Sequence, residues 1–173
     1  SHTYGIMVKL ESGQTGRVQT KFGDSTEIPG STSRSEVTAE FLKSAVESVT
    51  LELKESAFWS SGLNKEEIEG SRSKEVKEYG TKASLYIVAK VIASFLNTEG
   101  GLLIIGVAES KDDSDNEIVG IEREFKFLKD KTVDGYKRRI RESIFEPYFS
   151  SDIVNSLHTY VEFIFPEIDG KKL

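Results

Sequence analysis

The stretch "ASLYIVAKVIASFLNTEGGLLIIGV", residues 83 to 107, constrains the fold more than any other part of the chain. Across 83–96 only Ser84, Lys90 and Ser94 interrupt the apolar residues, the pattern and length of a mostly buried helix. "NTEGG" ends it, and Gly100 and Gly101 permit a tight reversal. The run that follows, "LLIIGV" at 102–107, has no polar face and is predicted to be a strand covered on both sides. That strand is the expected centre of an α/β (α+β) fold, a mixed central sheet with flanking helices.

The flanking segments carry weaker signals. Residues 3–22 suggest two short strands around a Gly13 to Gly16 turn, and "GDSTEIPGSTS" after them reads as a linker. A hairpin and linker at 1–32 therefore precede a domain expected at 33–173. Ser33 and Glu36 have capping-box spacing ahead of an apolar stripe of Val37, Phe41, Leu42, Ala45 and Val46, which predicts a helix over 34–46. Val49, Leu51 and Leu53 alternate with Thr50, Glu52 and Lys54, a strand over 49–55 with Glu47 at the corner before it. Residues 60–80 are polar and glycine-punctuated, a long excursion with one helical turn.

"AESKDDSDNEIVGIE" is expected to form an acidic hairpin loop returning through 118–121. Val133, Tyr136, Ile140 and Ile144 predict a helix over 132–145, ended by Pro147. "HTYVEFIF", 158–165, alternates like a strand and leads to an Asp169-Gly170 turn. The sequence stops at Leu173 as the partner strand should begin, so a truncated domain or part of a longer chain is expected.

Composition narrows the chemistry. With no cysteine, the chain has no disulfide, thiolate nucleophile or cysteine-ligated zinc, and its two histidines, His2 and His158, cannot make a histidine metal site. Any metal would be a hard cation held by carboxylates. No apolar run approaches membrane-spanning length and no secretory-type segment opens the chain, which predicts a cytoplasmic protein with no membrane partner. A net charge of -6 argues against coating nucleic acid by bulk attraction, yet residues 126–141 hold seven of the 23 basic side chains. No Walker-type Gly-x-x-x-x-Gly-Lys segment is present, which argues against ATP hydrolysis by that route.

Residues two apart on a strand share a face about 7 Å apart, so Glu52 and Lys54 point to one side. A carboxylate there can hold Mg²⁺ while the lysine positions a water or neutralises a phosphate, and Glu47 and Glu109 could complete an oxygen site if their segments are neighbours. The alternative is a solvated strand face carrying an ordinary ion pair. Lys137, Arg138, Arg139 and Arg141 can grip a nucleic-acid backbone or form a solvated helix face. Phe58 and Trp59 can stack a base, although packing is the commoner use of such residues and is the one expected here.

"ESVTLELK", then "VIASFLNTEGGLLIIGVAES", then "EIVGIE" resemble, in that order, the Schlafen-type AlbA-like domain found in prokaryotic regulators, defence proteins and the vertebrate Schlafen family. The resemblance covers roughly 35–173 and implies a nucleic-acid-binding or endoribonuclease domain. It implies hydrolysis of structured RNA such as transfer RNA by a three-acid site using Mg²⁺ or Mn²⁺. The acids fall on Glu47, Glu52 and Glu109, where relatives often carry aspartate at the third place, and Asp112 or Asp113 could substitute. Lys54 would assist, and Lys137, Arg138 and Arg141 would hold the nucleic acid. Other members bind DNA or nucleotides without demonstrated catalysis, so a non-catalytic binding module of a regulator or defence protein is the alternative. A homo-oligomer or further domains remain compatible with either. The zinc site of the vertebrate members has no counterpart here.

Overall fold

The computed structural model describes residues 37–112 and 114–173, together with the backbone of Ile6–Val8. In chain order the elements are β1 (Ile6–Val8), α1 (Ala39–Ser44), β2 (Leu51–Lys54), α2 (Lys65–Gly70), α3 (Lys74–Tyr79), α4 (Ala83–Leu96), β3 (Gly101–Ile105), β4 (Val107–Ala108) and β5 (Glu117–Ile118). They are followed by α5 (Val133–Ile140), α6 (Glu146–Tyr148), α7 (Ser151–Asn155), α8 (Leu157–Tyr160), β6 (Val161–Glu162), β7 (Glu167–Ile168) and β8 (Lys171–Lys172). The main sheet has the order β2-β3-β1-β6 and is mixed, with β2 parallel to β3 and the other pairs antiparallel. The remainder of the expected N-terminal hairpin, the linker and the Ser33–Glu36 cap lie outside the described residues.

The helix-glycine-strand unit folds as its pattern requires. Leu85, Val88, Ala89, Ile92 and Phe95 line the buried side of α4, and the Asn97 side chain accepts no part in the core but donates back to the Ala93 carbonyl at 2.8 Å. Gly100 takes a φ of 94°, and Gly101 lies so close beneath Phe95 that a Cβ there would stand 2.5 Å from its ring. Both glycines are therefore needed, one for backbone sign and one for contact. On β3, Leu103 and Ile105 enter a core shared with α4 and α5, while Ile104 enters a second core with α1, β2, β4 and the C-terminal hairpin. The strand is apolar on both faces because each face has its own core.

The expected strand over 102–107 breaks at Gly106, which adopts a φ of 103° and fits against the Gly120 backbone at a built Cβ distance of 3.1 Å. Its carbonyl accepts from the amides of Val119 and Gly120, and β4 leaves the main sheet to pair with β5 as the expected hairpin. The first helix is shorter than predicted: Thr38 caps α1, Ala45 is already extended, and Val46 and Val49 are exposed. Residues 60–80 contain two six-residue helices, each announced by a cap that the sequence reading passed over, Asn64 with Glu67 before α2 and Ser73 before α3.

Two further differences concern the C-terminal third. The helix over 132–145 does not stop at Pro147; a π turn, Arg141–Phe145, continues directly into α6, which contains the proline. The strand expected over 158–165 shrinks to β6, because Leu157 and Val161 are spaced four apart, as on a helix, and both bury in the α4 core. The Asp169-Gly170 turn is present, with both residues at positive φ, and joins β7 to β8. No helix among the described residues is long and apolar enough to cross a membrane.

Candidate functional site

Among the described residues β2 forms an edge of the main sheet, so part of its backbone has no strand partner there. Ser48 and Leu51 bridge to each other, which curls the preceding segment back along that edge and brings Glu47 level with the strand. Glu47 Oε1 then accepts from the Leu53 amide at 3.0 Å, standing in for the missing strand. The same oxygen lies 3.3 Å from Lys54 Nζ, and Glu52 Oε1 approaches that ammonium at 2.5 Å. All three side chains are about a quarter exposed: 29% for Glu47, 23% for Glu52 and 25% for Lys54. Burial pulls the Lys54 pKa down, but the hydrogen bonds and charges of Glu52 and Glu47 together outweigh it and hold it above its ordinary 10.5. The cluster thus has two carboxylates sharing one cation supplied by the chain itself.

Glu109 lies beyond β4 on the exposed hairpin loop, because the break at Gly106 turns the chain out of the main sheet. Asp112 is exposed and engaged with the hydroxyls of Ser114 and Ser110, which lower its pKa; Asp113 lies outside the described residues. Among the described residues, no group of three or more aspartate, glutamate or histidine side chains is arranged to hold a metal ion. Glu47 and Glu52 are oxygen donors of the type a hard cation uses, and Mg²⁺ is commonly held by one or two carboxylates with waters and substrate phosphate. The donor chemistry is compatible with such an ion, while the three-acid set implied by resemblance does not come together.

The basic residues assemble elsewhere. A cleft of about 800 Å³ runs between α5 and the α7-α8-β6 segment, and Lys137, Arg138, Arg141 and His158 line it together with Tyr160 and Phe163. Asp134 and Glu162 line it as well, so three permanent cations face two carboxylates. Arg138 is paired with Asp130 at 2.6 Å and Arg141 with Glu146 at 3.6 Å; Lys137 lies over the Phe163 ring at 5.5 Å. Arg139 turns the other way, its guanidinium 5.9 Å from the Phe58 ring, and does not line the cleft.

The order of these parts along the chain, acid strand, buried helix, glycine pair and central strand, is matched by a family model described as Schlafen, AlbA_2 over residues 47–171. The chain belongs to the Schlafen AlbA_2 family. Membership supports a nucleic-acid-related domain. Searches of curated proteins and of solved structures give no match.

Two residues that the sequence reading missed hold this Schlafen AlbA_2 domain in shape. Glu124 is 2% exposed, yet its carboxylate accepts from the Ser56 hydroxyl, the amides of Ala57 and Phe58, and the Tyr136 hydroxyl. It ties the loop after β2 to α5, and burial followed by the Glu124 charge pushes the Tyr136 pKa well up. Asn116, 6% exposed, donates to the carbonyls of Leu42 and Ala45 and accepts from the Ser110 amide. It satisfies the last carbonyls of α1 just before the chain reaches Glu47. Neither residue belongs to a periodic pattern, and only burial reveals them.

Proposed function

We propose that this domain binds nucleic acid by laying the phosphate backbone along the α5 cleft. The observation that carries this reading is that Lys137, Arg138 and Arg141, separated in sequence from His158, line one concave surface with it. Arg138 and Arg141 are about half exposed and paired with Asp130 and Glu146, so both guanidinium groups are reachable by a phosphate that shares or displaces those carboxylates. The three cations act on a phosphate only at short range, against neighbouring carboxylates and an acidic total, so binding should be strongly salt-dependent. Labelled RNA and DNA stem-loops titrated at increasing salt test it. The double variant Arg138→Glu, Arg141→Glu should bind at least tenfold more weakly with a shallower salt slope. Wild-type affinity in that variant would refute the assignment.

The Glu47-Lys54-Glu52 cluster favours a second reading, a metal-dependent endoribonuclease acting on structured RNA such as transfer RNA. In this reading Glu47 and Glu52 would hold Mg²⁺ or Mn²⁺, with waters and the bound phosphate completing the set, and the ion would stabilise charge developing on the phosphate. Lys54 would exchange its two carboxylate partners for a phosphate oxygen. Incubation of transfer RNA with each cation, comparing wild type with Glu52→Ala, tests it; cleavage lost in the variant supports it, and equal inertness of both proteins removes it.

A further inference from the structure

A second cleft, about 270 Å³, opens one residue beyond Lys54, with Glu55 and Ser56 at the β2 end and Trp59, Arg123, Glu124, Lys126 and Phe127 around it. Trp59 and its neighbour Phe58 have opposite fates: Phe58 is fully buried, whereas the Trp59 side is left 43% exposed. A large indole kept in water at the wall of a cleft is a surface prepared for an apolar, planar occupant. No aromatic ring among the described residues stacks on it.

The walls are preformed. Trp59 begins a 3-10 turn, Trp59–Gly62, anchored by the buried Ser60 hydroxyl on Ser84 at 2.8 Å and on the Thr81 carbonyl at 2.9 Å. Phe127 ends another 3-10 turn, Glu122–Phe127, and its ring lies against Gly62, where an added Cβ would come within 3.3 Å. Buried Glu124 fixes the backbone between them through the Ala57 and Phe58 amides. Charge is arranged on the same rim: Lys126 Nζ is 4.9 Å from the Phe127 ring, and Arg123 is held by the Glu55 carboxylate at 2.8 Å and carbonyl at 2.7 Å.

A planar aromatic wall with cations beside it matches the two halves of a nucleotide, a base face and a phosphate. The volume falls just below the roughly 300–1,000 Å³ of drug-sized ligand sites, which suits one base and not a base pair. We propose that this cleft is a nucleobase subsite, taking one unpaired base against the Trp59 indole while Lys126 and Arg123 face the flanking phosphates. The proposal rests on the nucleic-acid reading above and names the form of substrate: a single strand or a loop with an unstacked base.

Trp59 is the only tryptophan in the chain, so its emission reports on the subsite directly. The full chain is titrated with short single-stranded oligouridylate and oligoadenylate, their deoxy counterparts and an abasic oligomer, while anisotropy of an end-labelled copy follows total binding. The expected result is quenching of Trp59 that saturates together with the anisotropy and is absent with the abasic oligomer. Trp59→Leu should weaken binding about fivefold or more, Trp59→Phe should recover part of the loss, and Lys126→Glu should lower the salt slope by about one. Far-UV circular dichroism verifies that the variants are folded, as expected for exposed positions. Binding with silent Trp59 emission, equal quenching by the abasic oligomer, or wild-type affinity in Trp59→Leu would overturn the subsite alone. Failure of every oligomer and stem-loop to bind would overturn the nucleic-acid reading and the subsite with it.

Discussion

Replacing Glu124 by glutamine changes one charge and almost no volume, and its cost can be worked from four contacts. In the native domain one carboxylate oxygen accepts from the Ser56 hydroxyl and, at 2.6 Å, the Phe58 amide; the other accepts from the Ala57 amide at 3.2 Å and the Tyr136 hydroxyl at 2.6 Å. In the best orientation the glutamine carbonyl keeps Ser56 and Phe58, and its amide group faces the Ala57 N–H and the Tyr136 oxygen. The hydroxyl can turn to accept, but the Ala57 donor cannot, and an unmatched buried donor costs about 1–3 kcal/mol. The surviving bonds also lose their charge assistance, roughly half their strength. Relief from desolvating a charge works in the opposite direction, but four donors already replace the water around this carboxylate, so the loss should dominate. A net destabilisation of about 2–4 kcal/mol is expected. For a chain of this size that corresponds to a fall in Tm of about 4–16 °C. Urea and thermal unfolding followed by far-UV circular dichroism, with Trp59 emission as a second probe, measure it. Stability within about 0.5 kcal/mol of wild type would refute the view of Glu124 as the tie between the β2 loop and α5.

Asn116→Ala should cost about 2–4 kcal/mol, since it strips donors from two carbonyls of the α1 end and the acceptor of the Ser110 amide; hydrogen exchange should accelerate first in α1, and unchanged protection there would count against the link. Lys54 and Tyr136 both have pKa values raised above their ordinary 10.5 and 10.0, so the stability they contribute is complete below those values and is lost as pH rises through the folded-state values. Urea midpoints should therefore show no pH dependence from either group near neutral pH, where both contributions are complete, and a decline above pH 10 that is weaker in Lys54→Met and Tyr136→Phe; a decline of the same size in both variants would sink this account. Gly101→Ala should destabilise by about 1–3 kcal/mol through the Phe95 ring, whereas Gly70→Ala, where nothing lies within 4 Å of the new methyl, should be neutral or stabilising in a melt.

The sequence identifies most elements whose residues carry a repeated physical demand. α4 and β3 are legible because burial on one face or two imposes apolar residues at fixed intervals, and the glycine pair between them because no other residue satisfies the turn and the Phe95 contact. Elements built from single polar contacts are harder to read. The caps of α2 and α3 rest on a few side chains within a polar stretch, and the alternation at 158–165 is equally compatible with the helical spacing of Leu157 and Val161 until a core exists to choose. The same division runs through the candidate sites. Glu52 and Lys54 share a face by strand period alone, and their ion pair follows.

By itself, then, the sequence determined the family, the apolar centre and the pairing of Glu52 with Lys54, because each depends on residues near in sequence or on a regular period. Tertiary structure alone decided that Glu47 closes the edge of β2, that Gly106 carries Glu109 out onto the hairpin loop, and that Glu124 and Asn116 tie distant segments together. It also separated Trp59 from Phe58, setting one at a cleft and the other in the core. These outcomes depend on which segments become neighbours after the chain collapses, and a contact between residues 66 to 74 positions apart leaves no period in the sequence to read.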